Sequence, residues 1–279
     1  MSVVSLQMYD SKAMQEANDL WWLVLKEELR DAGFDPPSHL HRSANLSEVW
    51  SSPLMLLGQT CGLPYVRYLR DKVQLVATPD YAVDGCSPGW YRSLVIVRRD
   101  DPRQSLLDFA QGSAAINSFD SYSGCIAFRH HLTNLFGMER FFAQVQITES
   151  HAASMQAVVG KRADIAAIDA VSWRLLSANT AVADALRVLT QTEPAPGLPI
   201  VTSNATKSKY DTSIQGTVDD VLFQVLSQSL QQLPSEVRSA LGIRGMVRLS
   251  ETDYDLIAQR DSATGSLSRL SVASSRSSL

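Results

Sequence analysis

The chain has 279 residues, of which 45% are hydrophobic and 19% charged, and its formal net charge is −4 at pH 7. A chain of this length and composition can bury a large core and predicts a globular protein of two domains. The acidic balance, with no lysine-rich run and no basic stripe, argues against nucleic acid as a partner. The longest apolar runs are far shorter than the roughly 20 residues of a membrane-spanning helix, so no segment is predicted to cross a bilayer.

The N-terminus and the cysteines bear on the compartment. Residues 1–10 contain no basic start and no apolar stretch of signal-peptide length. The chain as written is therefore predicted to stay in the cytoplasm, although a chain whose leader had been removed would look the same.

Cys61, Cys86 and Cys125 have no C-x-x-C spacing, which argues against a zinc site or a redox dithiol. Reduced, buried cysteines are expected, and a Cys61–Cys86 disulfide is the alternative in an exported protein.

Strand and helix patterns alternate from the start of the chain. In order, the sequence predicts a strand over 3–8, a helix capped by Ser11 that runs to about Ala32, a helical turn over 47–50, and strands over 54–57 and 73–78. The glycine-containing loop over 58–65 follows the second of these strands and leads toward a helix. A strand that ends in such a loop is a common setting for a ligand.

The middle of the chain repeats this alternation after a Pro/Gly-rich segment over 79–89. The predicted elements are strands over 91–98, 113–118, 141–147 and 163–168, and helices over 105–110, 123–136, 150–160 and 169–179. Strands that alternate with helices predict an α/β fold in which each domain is a mostly parallel sheet flanked by helices. Ligands of such folds bind at the carboxyl ends of the strands.

A second proline-rich segment, over 193–199, follows a predicted strand over 186–190 and predicts a stiff, extended connection. Helices are predicted over 218–232, 235–241 and 251–260. If both connections join the same two domains, lobe 1 comprises residues 1–82 with 197–261 and lobe 2 comprises residues 88–192, and the two lobes form a hinged clamp. The serine-rich residues 262–279 are predicted to be a disordered tail.

The stretch from Asn117 to Gly124 is the most informative functional feature. It places three serines and a glycine where a strand turns into a helix. The first turn of a helix has unpaired N–H groups and a partial positive charge, and serine hydroxyls add neutral donors. The pattern therefore predicts a site for a small tetrahedral anion, which we call the anion seat and which centres on Ser121–Gly124. The alternative is an ordinary Ser/Asp helix cap.

Two histidine pairs are the candidates for a metal site. His39 with His41, and His130 with His131, have no cysteine or carboxylate at ligand spacing. No metal site is therefore predicted, and these histidines are expected on the surface.

Ser123, His151 and Asp169 make the residue set of a hydrolase triad. The chain has no G-x-S-x-G elbow, P-loop or G-x-G-x-x-G, so neither a serine nucleophile nor a nucleotide cofactor is predicted. The serines are better explained as ligand donors. Asp169 would also serve as a helix N-cap, and His151 at a helix start would also bond a neighbouring loop.

Four segments occur in a characteristic order and spacing within about residues 3–245: Ser121–Gly124, Ser150–Gly160, Ala163–Asp169 and Pro194–Val201. In these segments the chain resembles the phosphate, phosphite and phosphonate family of substrate-binding proteins of ABC transporters. The resemblance implies the two-lobed type II periplasmic-binding fold.

The resemblance also implies which residues bind the ligand. Ser121, Ser123 and the N–H groups near Gly124 would hold the oxygens of a phosphorus group, and His151 would add a donor. The further implied contacts are Tyr9, either Gln59 or Thr60, Tyr122 and Asp169. At the position of Tyr122, relatives usually carry a small hydroxyl residue instead. An aspartate that faces an anionic ligand would repel it unless the ligand also carries a cationic group such as an amine.

The sequence thus predicts a non-enzymatic solute-binding protein without cofactor, a monomer that closes over a small oxyanion of the phosphonate or phosphate class. An ABC permease would be its partner, and the resemblance implies a periplasmic or extracytoplasmic location. The alternative is a thiamine-precursor-related enzyme or a cytosolic ligand sensor on the same fold.

Overall fold

A computed structural model describes residues 2–42, 45–137 and 141–264 of the chain. The chain forms two compact units. Unit 1 comprises the described residues of Met1–Trp90 and Pro196–Leu256, and unit 2 those of Tyr91–Ala195 and Ile257–Leu279. Among the described residues, no helix combines the length and the apolar character that crossing a membrane requires.

Strands and helices alternate along most of the chain. In chain order the described strands are β1 (Val3–Ser5), β2 (Met55–Gln59), β3 (Val73–Asp80), β4 (Trp90–Tyr91), β5 (Ser93–Arg98), β6 (Ser113–Ile116), β7 (Gln144–Ile147), β8 (Ile165–Asp169), β9 (Leu186–Gln191), β10 (Ala195–Pro196), β11 (Ile200–Ser203) and β12 (Gly245–Val247). The described α-helices are α1 (Gln15–Asp31), α2 (Leu46–Trp50), α3 (Gly62–Pro64), α4 (Ala127–Phe136), α5 (His151–Val159), α6 (Ala170–Asn179), α7 (Asn204–Tyr210), α8 (Val218–Gln232), α9 (Ser235–Leu241) and α10 (Glu251–Ala263). Short 3-10 turns cover Gln7–Tyr9, Leu106–Phe109 and Ala181–Ala185, and π-turns cover Tyr65–Leu69 and Tyr122–Ile126.

Each unit is built on a mixed sheet, which corrects the prediction of mostly parallel sheets. Within the described residues the order is β1-β2-β11-β3-β12 in unit 1 and β7-β6-β8-β5-β9 in unit 2. β5 follows the passage of the chain into unit 2 at Tyr91, and β11 follows its return to unit 1 at Pro196. Both strands pair antiparallel with their neighbours. A strand that enters a sheet directly from a connection, without a preceding crossover helix, can run antiparallel to its neighbours. In contrast to β5 and β11, β6 pairs parallel with β7 and β8.

The sheet of unit 2 buries both faces, as the two-residue period of a strand requires. Val95 and Val97 of β5 pack on one face with Phe128 of α4. Ile96, between them, packs on the other face with Met155 of α5. α4 and α5 thus cover opposite faces of the sheet. The π-turn over Tyr122–Ile126 leads directly into α4, and His151 is the first residue of α5.

The N-terminal elements differ from the prediction. β1 ends at Ser5 and a 3-10 turn follows, while α1 begins at Gln15 and has no side-chain cap at its N-terminus. The predicted cap Ser11 instead accepts a turn hydrogen bond from the N–H of Met14, 2.7 Å away. The side chain of Asn18 donates to Asp10 at 2.8 Å, which ties the first turn of α1 to the preceding loop.

The C-terminal helix also extends beyond its predicted end. α10 runs to Ala263, so the prediction of a disordered tail from residue 262 is wrong for its first residues, and 265–279 lie outside the described range. Residues from Ile257 onward group with unit 2 rather than with lobe 1. The physical reason is Arg260, whose guanidinium donates to the hydroxyl of Tyr122 at 2.6 Å and to the carbonyl of Pro194 at 3.0 Å.

The three cysteines all lie in the described ranges, and no disulfide joins any two of them there. Cys61 and Cys125 are buried and Cys86 is partly exposed.

Candidate ligand-binding site

The anion seat forms at the first turn of the helix that follows β6. Ser121 is in extended conformation and caps this turn, because its Oγ accepts the N–H of Gly124 at 3.1 Å. The first main-chain bond of the helix runs from the N–H of Ile126 to the carbonyl of Ser121, at 3.3 Å. This i to i+5 spacing makes the turn a π-turn, a rare form that is frequent at functional sites. The first N–H groups of a helix have no helical carbonyl one turn before them to bond. Those of this turn therefore point toward its N-terminal end.

Ser123 and His151 meet at this turn. The Oγ of Ser123 lies 3.0 Å from Nε2 of His151. His151 is the first residue of α5, and Ser150 caps that helix by accepting the N–H of Ala153 at 3.1 Å. Burial lowers the pKa of His151 from 6.5 to about 4, so the imidazole is neutral at pH 7. The seat therefore presents dipoles of serine, imidazole and main chain rather than a fixed cation.

Asn117, the first residue of the predicted stretch but one to which no ligand contact was assigned, belongs to the same cluster. It follows the end of β6, and its Oδ1 lies 1.9 Å from the position that a Cβ on Gly124 would occupy. Cε1 of His151 lies 3.2 Å from the same position. Glycine leaves this space to the Asn117 side chain, which any Cβ at position 124 would force to move. The rule that ligand residues follow strand ends applies to Asn117 and would have found it.

Tyr122 stands in the seat turn but its side chain points to a structural partner. The residue is buried, its hydroxyl accepts from Arg260 at 2.6 Å, and its ring lies 6.4 Å from that of Tyr91. The contact ties the seat turn to α10, so Tyr122 positions the turn. A direct contact between Tyr122 and the ligand stays a prediction.

Asp169 acts as the helix cap that its sequence position allows. It is only 2% exposed, and its Oδ1 accepts the N–H groups of Val171 and Ser172 at 2.7 and 3.0 Å. Its partner across the sheet is Ser93, whose hydroxyl donates to the carbonyl of Ser123 at 2.9 Å. Asp169 is thus placed one strand from the seat, and its contact with a ligand stays a prediction.

The predicted residues of unit 1 divide into two groups. Tyr9 and Gln59 line a small pocket together with Tyr81, which follows β3. The rings of Tyr9 and Tyr81 meet edge to face at 4.9 Å, and the Gln59 amide lies 3.5 Å from the Tyr81 hydroxyl. Tyr81 was missed because residues 79–89 were interpreted only as a connection. Thr60 is fully buried, and its hydroxyl donates to the carbonyl of Cys61 at 3.1 Å.

The side-chain contacts of the described residues do not form a hydrolase triad or a metal centre. Nδ1 of His151 has no hydrogen-bond partner in the described part of the chain, and the carboxylate of Asp169 is occupied by the cap of α6. No cluster of His, Cys, Asp or Glu suited to a metal ion occurs among the described residues. The expectation that His131 lies on the surface is wrong: it is 8% exposed, and its Nδ1 lies 3.3 Å from the carboxylate of Glu193.

Two α/β units on mixed sheets, each built from separate segments of the chain, define the class of type II periplasmic-binding proteins. The methylphosphonate complex of PhnD1 from Prochlorococcus marinus has this fold, with 15% identity, a TM-score of 0.73, and 94% of this chain and 97% of that chain covered. A chloride-bound protein of Xanthomonas citri has 15% identity, a TM-score of 0.66 and coverages of 94% and 95%. A binding-protein component of an ABC phosphonate transporter from Pseudomonas aeruginosa has 16% identity, a TM-score of 0.62 and coverages of 93% and 87%. These similarities show the fold.

The family described as "ABC transporter, phosphonate, periplasmic substrate-binding protein" matches residues 57–254, which is more than half of the chain. The chain belongs to this family of substrate-binding proteins. The predictions of the family, of the type II periplasmic-binding fold and of a protein that is not an enzyme are thereby confirmed, with mixed sheets in place of mostly parallel ones. No curated protein matches the sequence.

Proposed function

We propose that the anion seat of unit 2 binds a small tetrahedral oxyanion of the phosphonate or phosphate class, which the protein delivers to an ABC permease outside the cytoplasm. The observation that carries the proposal is the pairing of Ser123 with a neutral His151 at the N-terminal turn of a helix. Membership of the phosphonate-binding family supports the same ligand class.

The donors in the seat match a small oxyanion. The hydroxyl of Ser121 accepts the N–H of Gly124 and keeps its own proton for a ligand. The hydroxyl of Ser123 keeps its proton as well when Nε2 of His151 is the donor of their shared bond. Hydrogen bonds to an ionised oxygen are roughly twice as strong as neutral ones, and the helix dipole adds to them. Three oxygens on one phosphorus atom offer enough acceptors for all of these donors.

Burial makes these donors effective. Ser121 and Ser123 are 6% and 4% exposed, so little water competes for the anion. An unpaired anion would be strongly disfavoured in such surroundings, and only an anion that finds several oriented donors is stabilised there. Affinity should therefore depend on the number of ligand oxygens that reach a donor.

Tyr9 and Gln59 are proposed as ligand contacts of unit 1, and we add Tyr81 because it lines the same pocket. Thr60 is given no donor role through its side chain or its N–H, since its hydroxyl bonds Cys61 and its N–H bonds the carbonyl of Pro199 at 2.9 Å.

A thermal-shift and calorimetry panel tests the proposal. The probes are methylphosphonate, 2-aminoethylphosphonate, phosphite, phosphate and sulfate. A binder at 100 times its dissociation constant should stabilise the protein by about 2.7 kcal/mol. Ser123→Ala should remove most of this stabilisation. Ser262→Ala, which changes an exposed serine in α10, is the matched control and should keep it.

The proposed function is refuted if no phosphorus oxyanion stabilises the protein at millimolar concentration. The proposed seat is wrong if binding occurs but survives Ser123→Ala undiminished.

A further inference from the structure

Two buried polar atoms beside the seat have no hydrogen-bond partner among the described residues. They are Oδ1 of Asn117 and Nδ1 of His151. An unpaired buried polar group costs stability, and buried polar groups of native proteins are nearly always paired, with protein or with ordered water. Two such atoms beside one turn indicate a bound group that donates a hydrogen bond to at least one of them.

The two side chains converge on Gly124. Asn117 Oδ1 and His151 Cε1 lie 1.9 Å and 3.2 Å from the point where a Cβ of Gly124 would stand. Cε1 is the ring carbon bonded to both imidazole nitrogens, so the unpaired Nδ1 belongs to the same small volume. The other nitrogen, Nε2, is the one that lies 3.0 Å from Ser123 Oγ. The unpaired atoms are therefore part of the seat and not a separate site.

The protonation state of the imidazole decides what the pair can accept. Neutral histidine carries one N–H, either on Nε2 or on Nδ1. When the proton is on Nε2, this nitrogen donates to Ser123 Oγ and the serine proton is left for the anion. Nδ1 is then an acceptor, as is Oδ1 of Asn117. The tautomer that frees Ser123 to bind an oxyanion thus leaves two acceptors that require a donor.

Only some oxyanions carry such a donor. A singly protonated phosphonate or phosphate has one P–OH group in addition to its charged oxygens, and the proton of that group can be donated to one of the two acceptors. Sulfate carries no proton at neutral pH and offers acceptors alone, which would face the two unpaired acceptors without a hydrogen bond. Asparagine suits this task because it accepts a hydrogen bond without adding a negative charge beside the anion.

We propose that Asn117 is a specificity-determining residue of the anion seat, which accepts a hydrogen bond from the protonated oxygen of a phosphonate or phosphate and thereby discriminates against sulfate. This inference rests on the proposed function, because it names the protonation form of the ligand that the same seat takes. Gly124 is part of the device, since it leaves room for the Asn117 oxygen.

Calorimetric titration of the full chain with methylphosphonate and with sulfate tests the inference. The wild-type protein should bind methylphosphonate at least about tenfold more tightly than sulfate, the factor expected for one buried acceptor left unpaired. Asn117→Leu removes the acceptor at similar volume, and the ratio of the two dissociation constants should fall by about tenfold. Asn117→Asp keeps acceptor oxygens but adds a negative charge, so both dissociation constants should rise while their ratio is preserved or increased.

Asn179→Leu is the matched control, because Asn179 is an exposed asparagine at the end of α6 in the same unit. It should leave both dissociation constants unchanged. Circular dichroism and melting temperature establish that each variant is folded, and Asn117→Asp keeps the test decisive if Asn117→Leu does not fold.

The outcomes separate the two proposals. If the wild-type protein binds no phosphorus oxyanion, the proposed function itself fails. If methylphosphonate binds but Asn117→Leu leaves the ratio unchanged, the role of Asn117 is overturned while the seat stands. A fall in the ratio of the two dissociation constants in Asn117→Asp would also overturn the role of Asn117, because the acceptor oxygen would then not be the cause of the discrimination against sulfate.

Discussion

The low pKa of His151 leads to a prediction about stability. Burial is the cause that lowers this pKa from 6.5 to about 4. In the unfolded chain the imidazole binds a proton below about pH 6.5, whereas in the folded protein it does so only below about pH 4. Between these values the unfolded state holds more protons, so stability rises with pH. The contribution is complete above pH 6.5 and is lost as pH falls through 4, a change of about 3 kcal/mol.

Two variants isolate this contribution. His151→Gln removes the titrating group, so the difference in unfolding free energy between wild type and variant should change by about 3 kcal/mol from pH 7 to pH 4. Ser123→Ala removes the hydrogen bond to Nε2 but keeps the histidine buried. Since burial and not this bond lowers the pKa, Ser123→Ala should retain the wild-type pH dependence.

Urea unfolding at closely spaced pH values gives the free energies, and a nuclear magnetic resonance titration of the imidazole gives the pKa directly. A His151 that titrates near 6.5 in the folded protein would refute the reasoning, and so would parallel stability curves for wild type and His151→Gln. Either result would mean that water or a charge reaches the imidazole, and the description of the seat as a neutral dipolar site would be wrong.

Three further predictions concern packing. Gly124→Ala would place a Cβ 1.9 Å from the present position of the Asn117 carboxamide oxygen. Calorimetry should therefore show a decrease of about 1–3 kcal/mol in the free energy of unfolding, together with loss of anion binding. Trp21→Phe removes the buried 2.9 Å bond from Nε1 to Ser229 Oγ between α1 and α8, and we expect a cost of about 1–3 kcal/mol in urea unfolding. A smaller effect would mean that the bond from the Ser229 hydroxyl to the carbonyl of Leu226 is sufficient for that side chain. Arg260→Met removes the 2.6 Å bond to the Tyr122 hydroxyl, so hydrogen exchange of the seat turn should accelerate, and unchanged exchange would show that α10 does not support that turn.

Much of the local structure follows from short-range chemistry. α8 and α9 begin and end where their residue patterns place them, because apolar periodicity and a cap at Thr217 act within a few residues. Ser150 and Asp169 cap α5 and α6 for the same reason. The start of α1 was misplaced, since the 3-10 turn before it and the bond from Asn18 to Asp10 are not visible in a capping pattern.

Strand direction, in contrast, depends on partners that are distant in the chain. β5 lies between β8 and β9, and β11 lies between β2 and β3. The alternation of strands and helices cannot distinguish this order from a fully parallel one, because the same apolar residues are buried in either arrangement. Only the assembled sheet decides that β5 and β11 run opposite to their neighbours.

The candidate site, too, was predictable from the sequence only in part. Residue types and their position after strands predict an anion seat at Ser121–Gly124 with His151; the structure brings Ser123 and His151 together, while anion binding stays a prediction. The sequence could not reveal that the imidazole is neutral, that its Nε2 meets Ser123, or that Asn117 fills the space over Gly124. Those properties arise because the parallel pairing of β6 and β7 brings the ends of two chain segments to one edge of the sheet. Burial and hydrogen-bond partners are properties of that assembly, so they were decided by the tertiary structure, while the helix caps and the family were already determined by the sequence.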